Sequence, residues 1–187
     1  AYLLGESYYR TQDHLNAVLM LNDFLEQHRG HRLEREARYT LAWTFFQEQN
    51  YEKAATLFGE LATGADETAH SALYQKGVAQ KLGGKLGDAF STFMACSQQS
   101  GIFADDALYE IGLFQYGEQD YREARETFTT LIREHSSSDV RPQAFRMLGE
   151  TNLALGLYAE GLDAFRTACT LPGAPIAVVA DAEFGEG

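Results

Sequence analysis

Apolar and small positions recur along this chain in a fixed register, with polar runs between them. Gly5, Ala42, Gly77, Gly112 and Gly149 are separated by 37, 35, 35 and 37 residues, and Gly185 follows 36 residues after Gly149. Twelve residues after each of the first five stands a second small residue, Ala17, Ala54, Ala89, Ala124 and Gly161. Four residues further comes a large apolar one, Leu21, Phe58, Phe93, Phe128 and Phe165. Around these landmarks apolar side chains fall at helical spacing, as in Leu108, Ile111 and Gly112 and then Tyr121, Ala124, Phe128 and Leu131, and no stretch supports a strand by period-two alternation. The pattern predicts an array of closely packed helix pairs: small residues let the two backbones approach, and the large one fills the groove between them.

Breakers fall where such an array needs connections. They include His28-Arg29-Gly30, Gly83-Gly84, Gly117, Gly156, and Ser136-Ser137-Ser138-Asp139 ahead of Pro142, a helix-start signature with a cap candidate and an early proline. Pro142, Pro172 and Pro175 all lie at predicted connections, which leaves the helix interiors with their hydrogen bonds.

Two strings, Asn50-Tyr51-Glu52-Lys53-Ala54-Ala55-Thr56-Leu57-Phe58 and Asp120-Tyr121-Arg122-Glu123-Ala124-Arg125-Glu126-Thr127-Phe128, resemble the second helix of a tetratricopeptide repeat. Ala107-Leu108-Tyr109-Glu110-Ile111-Gly112 and Ala144-Phe145-Arg146-Met147-Leu148-Gly149 resemble the first. The resemblance covers the chain as five repeats, at about 1–33, 34–68, 69–103, 104–138 and 139–174, and the opening helix of a sixth at 175–187. It implies an all-α fold, a right-handed superhelical solenoid of about eleven helices. Spacings of 35 to 37 and the Tyr of Ala-Leu-Tyr are similar to repeats of bacterial periplasmic proteins of the outer-membrane-assembly lipoprotein and cell-division coordinator type. That likeness implies a periplasmic or outer-membrane-associated setting, with a cytoplasmic one left open. The sequence departs from the family pattern at three features: the proline that usually closes a repeat is mostly missing, Lys76 stands where Leu41, Ile111 and Leu148 are apolar, and Gly161 replaces the second Ala.

Composition narrows the partners. With 187 residues and 45% apolar content, the chain has enough apolar surface for a core and is not a disordered segment. Its longest apolar stretch, Ile176 to Ala180, is far below the roughly 20 residues of a membrane span. A net charge of minus 12 argues against nucleic acid, whose affinity rests on neutralised phosphates, and directs attention to neutral, apolar or basic protein partners. Cys96 and Cys169 are too few for a disulfide framework and read as small core residues. Beginning at Ala1 and stopping at Gly187 inside a helical pattern, the sequence reads as a piece of a longer protein.

Function is expected on the first helices, which line the inner wall of such an array. Residues at offsets of four and seven share a stripe. That stripe reads Tyr2, Glu6, Tyr9; Tyr39, Trp43, Phe46; Tyr74, Val78, Lys81; Tyr109, Leu113, Tyr116; and Arg146, Glu150, Leu153. Candidate peptide-binding residues are Tyr39, Trp43, Phe46, Tyr74, Val78, Lys81, Tyr109, Leu113, Tyr116, Arg146 and Glu150. Aromatic rings supply rigid amphipathic contact area to an extended or helical peptide. The same tyrosines can instead pack between adjacent repeats, and the two readings stand side by side. Glu6, Glu36, Asp106 and Glu150 would suit a ligand with basic residues.

Catalysis, cofactors and metal ions are not expected. His28 and His31 lie in a glycine-containing connection without acidic or Cys partners. His14 occupies the place of Tyr51, Leu86, Tyr121 and Tyr158 and reads as a packed histidine. Gly83-Gly84-Lys85 lacks the spacing and hydroxyl of a phosphate loop, and Asp105-Asp106 complements a helix start. The expected role is a non-catalytic scaffold for protein or peptide binding in a bacterial envelope complex. An architectural spacer, self-association through the last helix with Ile176, Val178, Val179 and Phe184, or a regulatory domain of a larger protein are the alternatives.

Overall fold

The computed structural model describes residues 1–99 and 101–172. Among these residues the secondary structure is helical throughout, as ten helices: α1 (Tyr2–Arg10), α2 (His14–Gln27), α3 (Glu34–Gln47), α4 (Tyr51–Leu61), α5 (Glu67–Leu82), α6 (Leu86–Ser97), α7 (Ala104–Gly117), α8 (Tyr121–Glu134), α9 (Arg141–Ala154) and α10 (Tyr158–Thr170). They form five successive pairs in the expected order. The expected eleventh helix, with Ile176, Val178, Val179, Phe184 and Gly185, lies outside the described residues.

Two compact units are present, Ala1–Ile102 with α1 to α6 and a second from Phe103 with α7 to α10. Within each, every helix packs on the next. The first helices of adjacent pairs also touch, α1 with α3 in one unit and α7 with α9 in the other.

The sixteen-residue offset between small and large landmarks is the packing of each pair. A Cβ on Gly5 would lie 2.8 Å from Cγ of Leu21, one on Gly77 2.7 Å from the Phe93 ring, one on Gly112 2.5 Å from Phe128 and one on Gly149 2.7 Å from Phe165. In these four pairs the first helix therefore carries no side chain where the second inserts its large apolar one, and in the second pair Ala42 carries only a methyl opposite Phe58. Leu21, Phe58, Phe93 and Phe128 are fully buried. The two departures within the helices have local explanations. Carbon atoms of the Lys76 stem pass 3.6 Å from where a Gly59 Cβ would stand, so its aliphatic part fills an apolar position. Gly161 packs so closely that its Cβ would lie 3.0 Å from Leu153 and 3.2 Å from the Gly149 carbonyl oxygen, which brings the fifth pair into tight backbone approach.

All five pairs share one turn. The backbone N–H groups of Gln12 and Asp13 donate to the carbonyls of Tyr9 and Tyr8, those of Gln49 and Asn50 to Phe46 and Phe45, and the same pattern recurs at Gly84, Gln119 and Gly156. These are the nested bonds of a Schellman motif, which needs a left-handed residue. It is supplied by Gln12 (φ 61°), Gln49 (60°), Gly84 (76°), Gln119 (67°) and Gly156 (75°). In the first two turns the next residue starts the second helix: Asp13 accepts from the Asn16 N–H and Asn50 from the Lys53 N–H, each at 3.3 Å. Sequence breakers mark the two glycine turns directly; Gly117 marks the Gln119 turn but stays the last residue of α7 and is not its left-handed residue, and the Gln12 and Gln49 turns carry no such mark.

At α9 the expected start needs a correction. Pro142 sits in the first turn, but the cap position is Val140, without a side-chain cap, because Ser138 Oγ accepts from the Val140 N–H and closes the preceding turn instead.

Candidate peptide-binding face

In the first unit, the stripe residues Tyr39, Trp43 and Phe46 of α3 and Tyr74, Val78 and Lys81 of α5 are all half-buried. Their rings lean on the core. Tyr39 and Trp43 meet the buried Phe58 edge to face with centroids 6.0 and 5.5 Å apart, Trp43 meets Phe46 at 5.3 Å, and Phe46 meets Tyr51 at 5.5 Å. Tyr74 packs on Phe93 at 5.7 Å. Tyr39, Trp43 and Tyr74 thus have part of their surface fixed against the large residue of the second helix, Phe46 is fixed against Trp43 and Tyr51, and each keeps the rest accessible. The Tyr39 hydroxyl hydrogen-bonds Ser71 Oγ at 2.9 Å, which ties α3 to α5. Tyr39 accordingly serves packing between repeats, and its half-burial leaves it available for contact as well.

The second unit repeats this arrangement. Tyr109 of α7 packs on Phe128 at 6.0 Å, with the charge of Arg146 of α9 near its hydroxyl. Burial raises the Tyr109 hydroxyl above its ordinary pKa, while Arg146 pulls the other way. Tyr116 packs on Tyr121 at 5.3 Å, and its pKa is raised first by burial and then by the charge of Glu150. Leu113 is half-buried beside them. Arg146 and Glu150 form an ion pair at 3.0 Å one helical turn apart, so Glu150 is already offset by a neighbour. The sequence stripe brings the predicted residues of each unit together on its first helices.

Several residues on the first unit's face escape the four-and-seven stripe. Arg35, Thr40, Glu67, Thr68 and Ser71 line a cavity of about 500 Å³ together with Tyr2, Glu36 and Tyr39. The signal was within reach: running the stripe back one turn from Tyr39 and Tyr74 lands on Glu36 and Ser71. Across this region the Arg35 guanidinium forks onto both carboxylate oxygens of Asp66 and reaches the Leu61 carbonyl. Asp66 also caps α5 by accepting from the Ala69 N–H at 2.8 Å. The Arg35 hydrogen bond foremost, then the Ala69 N–H, hold the Asp66 carboxyl at about 2.

The remaining candidates are structural in their surroundings. His28 and His31 are exposed and meet the Phe24 ring tilted and edge to face, with centroids at 5.0 and 5.4 Å. His14 is half-buried, as a packed histidine would be. Asp105 and Asp106 lie in the first turn of α7, where burial and then the charges of Asp105 and Asp139 push Asp106 up to about 6.

Helix pairs at a spacing of 35 to 37 residues, closed by one turn type and packed small residue on large, define a helical repeat protein. A sequence profile of the tetratricopeptide repeat matches residues 2–72 and 109–175, and the chain belongs to that family. The unmatched span, 73–108, holds most of α5, all of α6 and the start of α7, with the same Gly77–Phe93 contact. Similar solved structures include MamA, at 19% identity and a TM-score of 0.71 over 89% of this chain and 92% of that one. Another is the C-terminal part of a TPR repeat-containing protein from Cytophaga hutchinsonii, at 14% identity and 0.69, covering 90% of this chain. This chain spans 63% of the Cytophaga structure's length. A thermophilic TPR protein of Thermus thermophilus matches at 16% identity and 0.56, over 98% of this chain and 95% of that one. At these identities the likeness is one of fold. No curated protein sequence matches the chain. Repeat arrays of this family form scaffolds of the kind that bind protein partners.

Proposed function

We propose that the first-helix faces bind an extended or helical protein segment, without catalysis, and that the chain serves as an assembly scaffold. The observation that carries this reading is Trp43. Its ring lies between Tyr39 and Phe46, rests on Phe58, and is only half-buried. Rigid, pre-packed aromatic surface contributes affinity at little cost in conformational entropy, and truncating such an anchor in an interface typically costs roughly 2 kcal/mol or more. Tyr39 is held by its hydroxyl bond to Ser71, so the first unit's face is pre-organised rather than shaped by the ligand.

Trp43 is the only tryptophan, so its emission reports directly on this face. Twelve-residue peptides selected from a random display library against the protein should quench or shift Trp43 fluorescence on binding. Trp43→Ala should weaken them at least tenfold, about 1.4 kcal/mol, while the far-ultraviolet circular dichroism stays that of the parent. Selected peptides that leave Trp43 emission unchanged and bind the variant equally well would overturn the reading.

The proposed setting is a periplasmic or outer-membrane-associated complex, supported by the similarity of the repeat spacing and tyrosine pattern to outer-membrane-assembly lipoproteins. Fractionation of the full-length protein from its own cells tests it, and recovery in the cytoplasm alone overturns it.

A further inference from the structure

The cavity beside Tyr39 has a chemistry that narrows the partner. Its volume of about 500 Å³ falls within the range of formed ligand sites. Three first helices wall it: Tyr2 from α1, Glu36, Tyr39 and Thr40 from α3, and Glu67, Thr68 and Ser71 from α5. Two aromatic rings, several hydroxyls and two carboxylates therefore face one space.

The charges around it do not cancel. Arg35 is the cation on the wall, and its donors are committed to Asp66 and the Leu61 carbonyl. Arg35 is paired with Asp66 and, more weakly, attracted by Glu36, so one guanidinium faces three carboxylates and the negative charge of Glu36 and Glu67 stays in excess. Among the described residues neither carboxylate has an ion-pair partner. Glu6 adds a third acid close to the Tyr2 hydroxyl, paired with Arg10. The hydroxyl of Tyr2 registers the resulting negative potential: burial first, then Glu6 and Glu36, raise its pKa above the ordinary value. Anionic ligands are disfavoured here, and a neutral apolar one would leave the carboxylates and hydroxyls unpaired.

A planar cation fits every wall. An arginine side chain has five N–H donors in a fixed fork for carboxylates and hydroxyls, and its face stacks on aromatic rings. We infer that this cavity takes an arginine side chain of the bound protein segment, with Glu36 and Glu67 receiving the guanidinium and the rings of Tyr2 and Tyr39 flanking it. The inference rests on the peptide-binding reading of the same face and adds the partner's chemistry to it.

The test uses small probes that do not depend on the rest of a peptide. N-acetyl-arginine methylamide and its neutral citrulline counterpart are titrated into the full chain while the backbone amide signals of Thr40, Thr68 and Ser71 are followed by NMR. The arginine compound should give saturable shifts with half-saturation at least tenfold below the citrulline compound. The double variant Glu36→Gln, Glu67→Gln should abolish that difference while keeping the parent's circular dichroism, since both side chains are exposed and only first-turn charges are lost. Equal responses to the two probes, no response, or an arginine preference that survives in the double variant would each overturn the inference. Any of these leaves the peptide-binding reading to stand on Trp43, whereas failure of the Trp43 experiment removes the face itself. Library peptides that engage Trp43 but show no enrichment of arginine likewise overturn the cavity assignment alone.

Discussion

Glycine in this protein has opposite meanings depending on what stands opposite its Cα. At Gly112 an added methyl would meet the fully buried Phe128 ring at 2.5 Å, and neither the ring nor the backbone has room to give. Overpacking of this kind costs about 1–3 kcal/mol, against roughly 1 kcal/mol gained from alanine's helix propensity. Gly112→Ala should therefore lower stability by about 1–2 kcal/mol in urea denaturation. Gly87, in the first turn of α6, has nothing within 4 Å, and Gly87→Ala should raise stability by roughly 0.5 kcal/mol. Phe58 and Trp43 make a second contrast. Phe58→Ala should cost about 3–5 kcal/mol as a cavity in the core, and Trp43→Ala, with only part of its ring covered, about 1–2 kcal/mol. Equal losses in thermal melts would mean that Trp43 is core and not a binding surface. Asp106 adds a pH dependence. Its carboxyl is raised from 3.8 to about 6 in the fold, so the folded state binds the proton more tightly. Stability from this group is full below about 4 and lost as pH rises through 6. Because the group is only half-buried, the loss is about 1 kcal/mol after solvent screening. Asp106→Asn should be more stable than the parent at pH 7, and the difference in melting temperature between the two should close on acidification to pH 4.

The element that repeats most faithfully is the turn inside each pair. Five Schellman turns in register need five left-handed residues, and three of them are glutamines. A side chain in that conformation is disfavoured by roughly 1–2 kcal/mol, part of which glycine gives back as chain entropy. Gln119→Gly should stabilise the second unit by about 0.5–1 kcal/mol in chemical denaturation. A loss of stability would show that the Gln119 side chain contributes something its exposed position does not reveal. These turns also explain where sequence reading stops. Gly84 and Gly156 announce themselves and Gly117 announces its turn two residues early, but that Gln12, Gln49 and Gln119 take the left-handed position follows from the helices on either side packing back on each other. Hydrogen bonds between the two helices of a pair behave alike: Thr92 donates to Gln80 and Thr127 to Gln115, both at 2.7 Å, at positions 35 residues apart that no turn or apolar signal distinguishes.

At the scale of the molecule, each compact unit has its own apolar core. In the first it runs through Leu21, Phe24, Leu41, Phe58 and Leu61, and in the second through Phe128, Leu131 and Met147. Repeat arrays are stabilised by neighbouring units in sequence rather than by distant contacts. Residues 1–102 expressed alone should therefore give a helical circular dichroism spectrum and a cooperative melt, and a random-coil spectrum would show that the first unit depends on the second. The acidic surplus carried by the whole chain limits polyanion partners, and the cavity at Tyr39 puts part of that surplus where a cation can use it. The sequence by itself determined the helix pairs, their period and the residues of the first-helix stripe, because periodic burial of apolar side chains leaves a periodic trace in the chain. Only the tertiary structure decided that the Tyr39 hydroxyl bridges to Ser71 of the next repeat, and that Glu36 and Glu67 from different repeats share one cavity. Those outcomes depend on distances between residues some thirty positions apart, and spacing along the chain does not encode which side chains take one another as partners across that gap.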